Sequence, residues 1–457
     1  MTNISSLTFL GGAGTVTGSK YLIETPDGKV LLDAGLFQGL KELRLRNWSE
    51  PEFDPSLLSA VILSHAHLDH SGYLPVLVKK GFKGPVYCTS GTQDLLQILL
   101  LDAAHLQEEQ AAHANKHGYS KHKPALALYG REDAVGALGL LAPQNFGQLF
   151  AVTKTLSVRF RRAAHILGAA SVELFLNGLK LVFSGDLGRW NQPLLKAPEP
   201  VEEADTLLIE STYGNRIHPE TVREELIRVI LASVKHGGPL IIPAFAVGRT
   251  QELIWMIRRL EDEGAIPVLQ VFMDSPMAID ASSIYQRHSG ELDHGTGGQT
   301  GPLATRHFHV LKTREESKKL NALSGPMIIL SSSGMATGGR ILHHLEQRLN
   351  DRRTTVLLAG FQAKGTRGRA LEEGAEQLKI HGAQIPVRAT VEKIEGLSAH
   401  ADQKDLLRWL SGFKKAPLRT FVVHGEPEAS QGLAEAIKNN LGWSSVRPAV
   451  NGELIPL

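Results

Sequence analysis

At 457 residues the chain exceeds the usual size of one domain, so two lobes are expected. Its 49 Lys+Arg against 47 Asp+Glu leave a net charge of +2, which excludes a surface that is basic throughout; any nucleic-acid contact must gather its positive charge locally. The single cysteine, Cys88, excludes an intrachain disulfide, fits a reducing compartment, and leaves His, Asp and Glu to build any metal site. The opening MTNISSLTFLGG lacks a basic stretch followed by an apolar core, and no apolar run approaches the roughly 18 residues of a membrane helix. A cytoplasmic location with no membrane partner is expected.

In chain order, residues 7–10, 20–24, 30–33, 61–64 and 86–89 are rich in Val, Ile and Leu and read as short strands between Gly-rich turns. Apolar residues at three- and four-residue spacing predict a helix over 92–114. Residues 172–176 and 180–184, joined across Asn177 and Gly178, predict a hairpin. From about Ser211 to Thr390 the style changes. Helices over 221–236, 250–263, 279–287 and 340–350 alternate with the buried-strand runs PLIIPAFAV, VLQVFMD, PMIILSSSG and TTVLLAG. That alternation predicts a parallel sheet flanked by helices. The run GTGGQTG (295–301) reads as a flexible loop within this lobe. The expected domains are 1–210, 211–390 as an insertion, and 391–457 completing the first.

The densest chemistry lies in LSHAHLDHSG, where His65, His67, Asp69 and His70 follow the apolar run LLSAVILS. A strand that ends by presenting this cluster to solvent is expected to build a site; a polar surface turn is the alternative. Imidazole and carboxylate donors suit zinc, with manganese or iron as rivals that ligand identity alone does not separate. One cluster is too small for two cations. His165 after VRFRRAA, Asp186 after LVFSG and His424 after RTFVV stand at other strand ends, free to converge on the same edge. Two sets follow: His65, His67 and His165 for one zinc, Asp69, His70 and His424 for the other, with Asp186 bridging. Two such ions are expected about 3.5–4 Å apart. Asp33, which ends KVLLD, is a candidate to orient an imidazole or the bridging water, and equally a turn residue before Gly35.

In this order the strand-end Asp33, the His65–His70 cluster, His165 and Asp186 resemble the metallo-β-lactamase superfamily. Glu210 in IESTYGNR, His400 in GLSAHAD and His424 in VVHGE resemble the three further motifs of its β-CASP nucleases. The resemblance implies an αββα sandwich carrying an inserted β-CASP lobe with a parallel sheet. A histidine at the third of those motifs is the pattern of the RNA-acting branch; DNA-acting members typically carry valine there. The SAHAD form is most similar to the cleavage-and-polyadenylation endonuclease subunit and its bacterial and archaeal relatives, and less so to ribonuclease J. No KH-type domain is visible. Dimers occur among such proteins, so a homodimer is the partner expectation besides RNA, though no interface signal is visible here.

What the resemblance implies is a zinc-dependent ribonuclease. Two ions activate a water and neutralise the scissile phosphate, Asp69 and Asp33 support that centre, and His400 protonates the ribose 3′-oxygen as its family counterpart does. Glu210 orients and charge-matches His400. The products are a 5′-phosphate and a 3′-hydroxyl; endonuclease and 5′-exonuclease modes both stay open. Three loops of the insertion read as phosphate contacts: Gly248 and Arg249; Ser331, Ser332, Ser333, Gly334 and Arg340; Lys364, Arg367 and Arg369. Residues 211–390 hold 22 Lys+Arg against 18 Asp+Glu, which leaves 27 against 29 elsewhere, a small excess of the right sign for gripping RNA. A small-ester or thioester hydrolase leaves the insertion and His400 without a task. A non-catalytic RNA-binding subunit disagrees with a filled set of ligand positions.

Overall fold

Strands with alternate apolar residues must bury one face, and fourteen of them do so here as two seven-stranded sheets. The computed structural model describes residues 5–118, 122–293, 303–360, 362–363 and 365–457. The first sheet runs Leu454–Pro456, Ser6–Phe9, Tyr21–Thr25, Gly28–Leu32, Leu58–Ile62, Val86–Thr89 and Leu141–Gln144. The second runs Val446–Pro448, Arg419–Val423, Thr206–Glu210, Leu179–Phe183, Ala170–Leu176, Leu156–Arg162 and Leu149–Ala151.

Alternate residues Leu7, Phe9, Tyr21, Ile23, Val30 and Leu32 of the first sheet join Val158, Phe160, Val172, Leu174, Phe183 and Phe421 of the second in one buried cluster. Phe9 packs on Phe421 with ring centroids 5.2 Å apart, and Tyr21 on Phe183 at 5.1 Å. Each such side chain contributes about 1.5–3 kcal/mol by leaving water. Helix Ser90–His117 lies against Val86–Thr89 and Leu141–Gln144, and helix Pro427–Leu441 against Arg419–Val423 and Val446–Pro448. This is the helix–sheet–sheet–helix sandwich.

The hairpin expected across Asn177 and Gly178 forms with Leu176 opposite Leu179, and both turn residues are left-handed (φ 49° and 83°), the geometry that Asn-Gly favours. The strand expected over 61–64 instead spans Leu58–Ile62. It stops early because the Ser64 N–H donates to the Asp33 carboxylate (2.7 Å) and not to a neighbouring strand. The edge strands Leu141–Gln144, Leu149–Ala151, Val446–Pro448 and Leu454–Pro456 are short and half exposed, so no apolar run announces them.

A further sheet is wholly parallel, in the order His307–Val310, Gln270–Met273, Met327–Ser331, Leu240–Pro243, Thr355–Leu358 and Thr390–Lys393. Leu240, Ile242, Ile328 and Leu357 pack with Leu226, Ile230, Leu253 and Ile257 of helices Val222–His236 and Arg249–Asp262. The intervening Ile241, Val356 and Leu358 pack instead with Ile341, Leu345 and Leu349, at helix Arg340–Arg348, and with Leu371 of helix Arg367–Glu372. Both faces are covered, as a parallel sheet requires. By its contacts the chain divides into a first unit of Met1–Gln192, Ala197–Ile217 and His400–Leu457 and a second of Pro193–Lys196 and His218–Ala399. The loop read at 295–301 and Lys364 lie outside the described residues. Among the described residues no helix is long and apolar enough to cross a membrane.

Candidate metal centre

Most candidate ligands of the first unit stand just beyond a strand end, while Asp69 and His70 lie in the short helix Leu68–Ser71 that His67 opens. Asp33 follows Gly28–Leu32, His65 follows Leu58–Ile62, His165 follows Leu156–Arg162, Asp186 follows Leu179–Phe183, and His424 follows Arg419–Val423. Asp33, Ala164 and His424 adopt left-handed backbone (φ 58°, 62° and 48°), which swings the chain sharply off the strand. Gly35 allows the next turn to close: a Cβ there would lie 1.7 Å from the Asp69 carbonyl oxygen.

The structure brings the ligand atoms of His65, His67, His165 and Asp186 within 4.8 Å of one another, and likewise those of Asp69, His70 and His424. His67 Nδ1 is faced by His65 Nε2 at 3.1 Å and by His165 Nε2 at 3.0 Å. His70 Nε2 and His424 Nε2 are 3.1 Å apart, with Asp69 Oδ2 3.5 Å from the latter. Asp186 lies between the sets: Oδ2 is 3.5 Å from His65 Nε2 and 3.7 Å from His165 Nε2, and Oδ1 is 3.2 Å from His70 Nε2. The expectation that the cluster faces solvent is corrected. His65 and His70 are fully buried, and His165, Asp186 and His424 nearly so, while His67 and Asp69 keep partial exposure.

Which nitrogen of each ring carries the proton follows from its partners. Ser64 gives its N–H and Oγ–H to Asp33 (2.7 and 2.8 Å), so Ser64 Oγ accepts from His65 Nδ1 (3.0 Å). Asp33 also accepts from His70 Nδ1 (2.7 Å). Thr212 Oγ1 donates to the His424 carbonyl (3.2 Å) and is left to accept from His424 Nδ1 (3.2 Å). In His65, His70 and His424 the Nε2 lone pair therefore points inward. Nitrogen lone pairs facing one another cannot all be satisfied by protons; with two carboxylates among them, they form the donor set of a divalent cation. Ser64 and Thr212 are missed by sequence reasoning, since a hydroxyl beside a strand end carries no pattern of its own.

Electrostatics agree with that donor set. Burial, then the neighbouring His70, holds the His65 imidazole well below its ordinary range, which keeps its lone pair free. At His70 burial is outweighed by Asp186 and then Asp33, whose carboxylates favour positive charge at this place, from a proton on Nε2 or from a cation in its stead. Asp186 stays ionised against its burial because His424, His70 and His65 surround it.

Beside it, the carboxylate of Glu210 is fully buried and accepts from the Leu187 N–H (2.7 Å) and the Thr212 N–H (3.2 Å). His400 Nδ1 is 3.3 Å from Glu210 Oε1 and 3.8 Å from Asp186 Oδ2. Burial pushes the His400 imidazole down, but Glu210 and then Asp186 outweigh it and raise it to about 9.

The loop residues of the second unit fall differently. Arg249 is buried against Glu252. Arg340 donates to Asp274 Oδ1 (2.7 Å) and to the Leu311 and Lys312 carbonyls, and Arg367 to the Lys379 carbonyl (2.7 Å). The Ser331 hydroxyl is buried on the Asp274 carbonyl (2.8 Å), and Ser333 Oγ sits against Thr337. Ser332 flanks this turn, and Gly334 presses on Phe245. These arginines and Ser331 contact the unit's own backbone and carboxylates.

Residues 13–200 match the metallo-β-lactamase superfamily, 250–371 the β-CASP domain, and 384–448 the Zn-dependent metallo-hydrolase RNA specificity domain. The chain is 37% identical over 455 residues to a ribonuclease of Thermus thermophilus, covering 98% of this chain and 99% of that one. It is 33% identical to an RNase J-like protein of Methanocaldococcus jannaschii over 99% of both. It is 31% identical to the transcription termination factor FttA of the same organism, over 94% of this chain and 68% of the factor. The crystal structure of an Enterococcus faecalis protein of unknown function superimposes with a TM-score of 0.58 at 15% identity, over 99% of this chain and 100% of that one, a likeness of fold alone. With its sandwich, its inserted parallel-sheet unit and a donor set for a divalent metal, the chain belongs to the β-CASP family of metallo-β-lactamase-fold nucleases, enzymes that are metal-dependent phosphodiesterases.

Proposed function

We propose that this protein is a two-zinc ribonuclease that hydrolyses RNA phosphodiesters to a 5′-phosphate and a 3′-hydroxyl. His65, His67 and His165 would hold one ion, Asp69, His70 and His424 the other, and Asp186 both. Bound there, the ions acidify water at neutral pH and neutralise charge on the scissile phosphate. The relatives named as ribonucleases and the match to an RNA specificity domain support RNA as the substrate. The single buried cysteine supports a reducing, cytoplasmic setting.

The observation that carries the reading is His400 held against Glu210 beside the donor cluster. A ribose 3′-oxygen is a poor leaving group and needs a proton. His400 Nδ1–H points at Glu210, so Nε2 is the nitrogen that can deliver one. Of the two carboxylates near the ring, Glu210 lies outside the proposed ligand set and keeps its charge for His400 when Asp186 is engaged. Removing a positioned general acid typically costs about 10²–10⁴-fold in rate. His400→Ala is expected to slow cleavage of a labelled RNA by that order with metal content unchanged by elemental analysis. Cleavage at the parental rate removes His400 from the mechanism. In the same assay on RNA labelled at its 5′ end, internal fragments identify an endonuclease and mononucleotides an exonuclease.

A further inference from the structure

Helix Arg340–Arg348 buries Ile341, Leu342 and Leu345 and turns His343 and Glu346 outward. Three residues apart, these two share one face of the helix. Beside them the strands Gln377–Ile380 and Ala383–Pro386 pair with Ile380 opposite Ala383, so their turn is His381–Gly382. Both turn residues are left-handed (φ 47° and 90°). Asn-Gly, Asp-Gly and Gly-Gly are the usual dipeptides of such turns. A histidine in the first place brings an imidazole that the turn itself does not require.

That imidazole is aimed. His381 Nδ1 lies 3.1 Å from Glu346 Oε2, and His343 Nδ1 lies 3.9 Å from the same oxygen. The two rings lie side by side, tilted, with centroids 4.6 Å apart and planes inclined by 32°. One donor atom from each of the three residues falls within 4.8 Å of the others. A hydrogen bond from His381 to Glu346 accounts for one ring and helix spacing carries His343 to the same carboxylate, so the imidazole of the turn completes a set of three donors.

We propose that His343, Glu346 and His381 form a further site for a divalent cation of the zinc class, one that fastens the tip of the hairpin to the helix. Two imidazoles and one carboxylate are a donor set for zinc, nickel or copper and not for magnesium or calcium, which take oxygen ligands. Three protein ligands leave a coordination position open, and the exposure of His343 (62%) and His381 (39%) gives water and the incoming ion access to it. The ligands come from two elements, so the site exists only when this part of the second unit is folded. The proposal takes nothing from the nuclease reading, because every residue it uses belongs to the second unit.

The test is equilibrium dialysis of the full chain against chelator-buffered free Zn2+, with bound zinc per chain counted by elemental analysis. Wild type is compared with His381→Asn, which keeps a side chain suited to the left-handed turn, and with Glu346→Gln, which keeps the shape and removes the charge. Each variant is expected to hold one zinc fewer than wild type at free Zn2+ that saturates the parent, whatever number the first unit binds. Zinc should also slow amide exchange across Ile380–Ala383 in wild type and in neither variant. Equal zinc content in wild type and either variant overturns the proposal.

Discussion

Each buried imidazole of the centre has two nitrogens, and only one can face a cation, so the residue that claims the other decides whether the site can form. Asp33 with Ser64 makes that choice for His65 and His70, one ring from each set, through a single buried carboxylate. Thr212 makes it for His424. The cluster His65–His70 is legible in sequence because four donors in six positions have no role in a core. Ser64 and Thr212 are not legible, because only the fold places their hydroxyls behind a ring. Outer partners of this kind typically govern metal affinity by about 10–100-fold. Thr212→Val is therefore expected to weaken cation binding by that order in competition with a chromophoric chelator, with Thr212→Ser restoring it. If the valine variant competes as well as the parent, Asp186, whose Oδ1 lies 3.3 Å from His424 Nδ1, orients that ring without Thr212.

At the scale of strands and turns, apolar runs mark the central strands, while their exact ends are set by what receives the next backbone N–H, which no periodicity reports. Ile62 is the last strand residue because Asp33 takes the Ser64 N–H. The turn that follows Asp33 has its own support in Lys20, which precedes strand Tyr21–Thr25. Its buried Nζ–H donates to the Gly35 carbonyl (2.7 Å), and the ammonium lies 4.2 Å from the Phe37 ring centroid and 4.7 Å from that of Tyr73. Burial, then the charge of Arg46, lowers its pKa to about 7, with Glu52 opposing. Between about pH 7 and the ordinary lysine value near ~10.4, the unfolded chain binds a proton that the folded chain does not. The contribution of Lys20 to stability therefore grows as pH rises through that window. In urea denaturation at about pH 7 and about pH 9.5, wild type is expected to gain on Lys20→Met at the higher pH. A gap that stays constant or narrows shows that Lys20 is charged in the folded chain throughout.

Across the whole molecule the centre depends on chain order as much as on chemistry. His424 reaches His70 from 354 residues away, and the second unit folds from the chain between them around clusters of its own. Alternation of helix and strand makes that insertion visible in sequence, whereas the pairing of distant strand ends is not encoded in any local spacing; the family resemblance supplies it. A cation held at the centre binds only the folded first unit, so at about 100 times its dissociation constant it adds about 2.7 kcal/mol to that unit. Calorimetry of the full chain is then expected to resolve two transitions. In a His381→Asn background, which lacks the cation site proposed for the second unit, chelation should lower one of them, while Leu253→Ala, a cut of about 2–5 kcal/mol into the core of the second unit, should lower the other. A single transition that both treatments displace equally would mean that the units unfold as one body, and the stability of the centre would then be shared with the insertion it brackets.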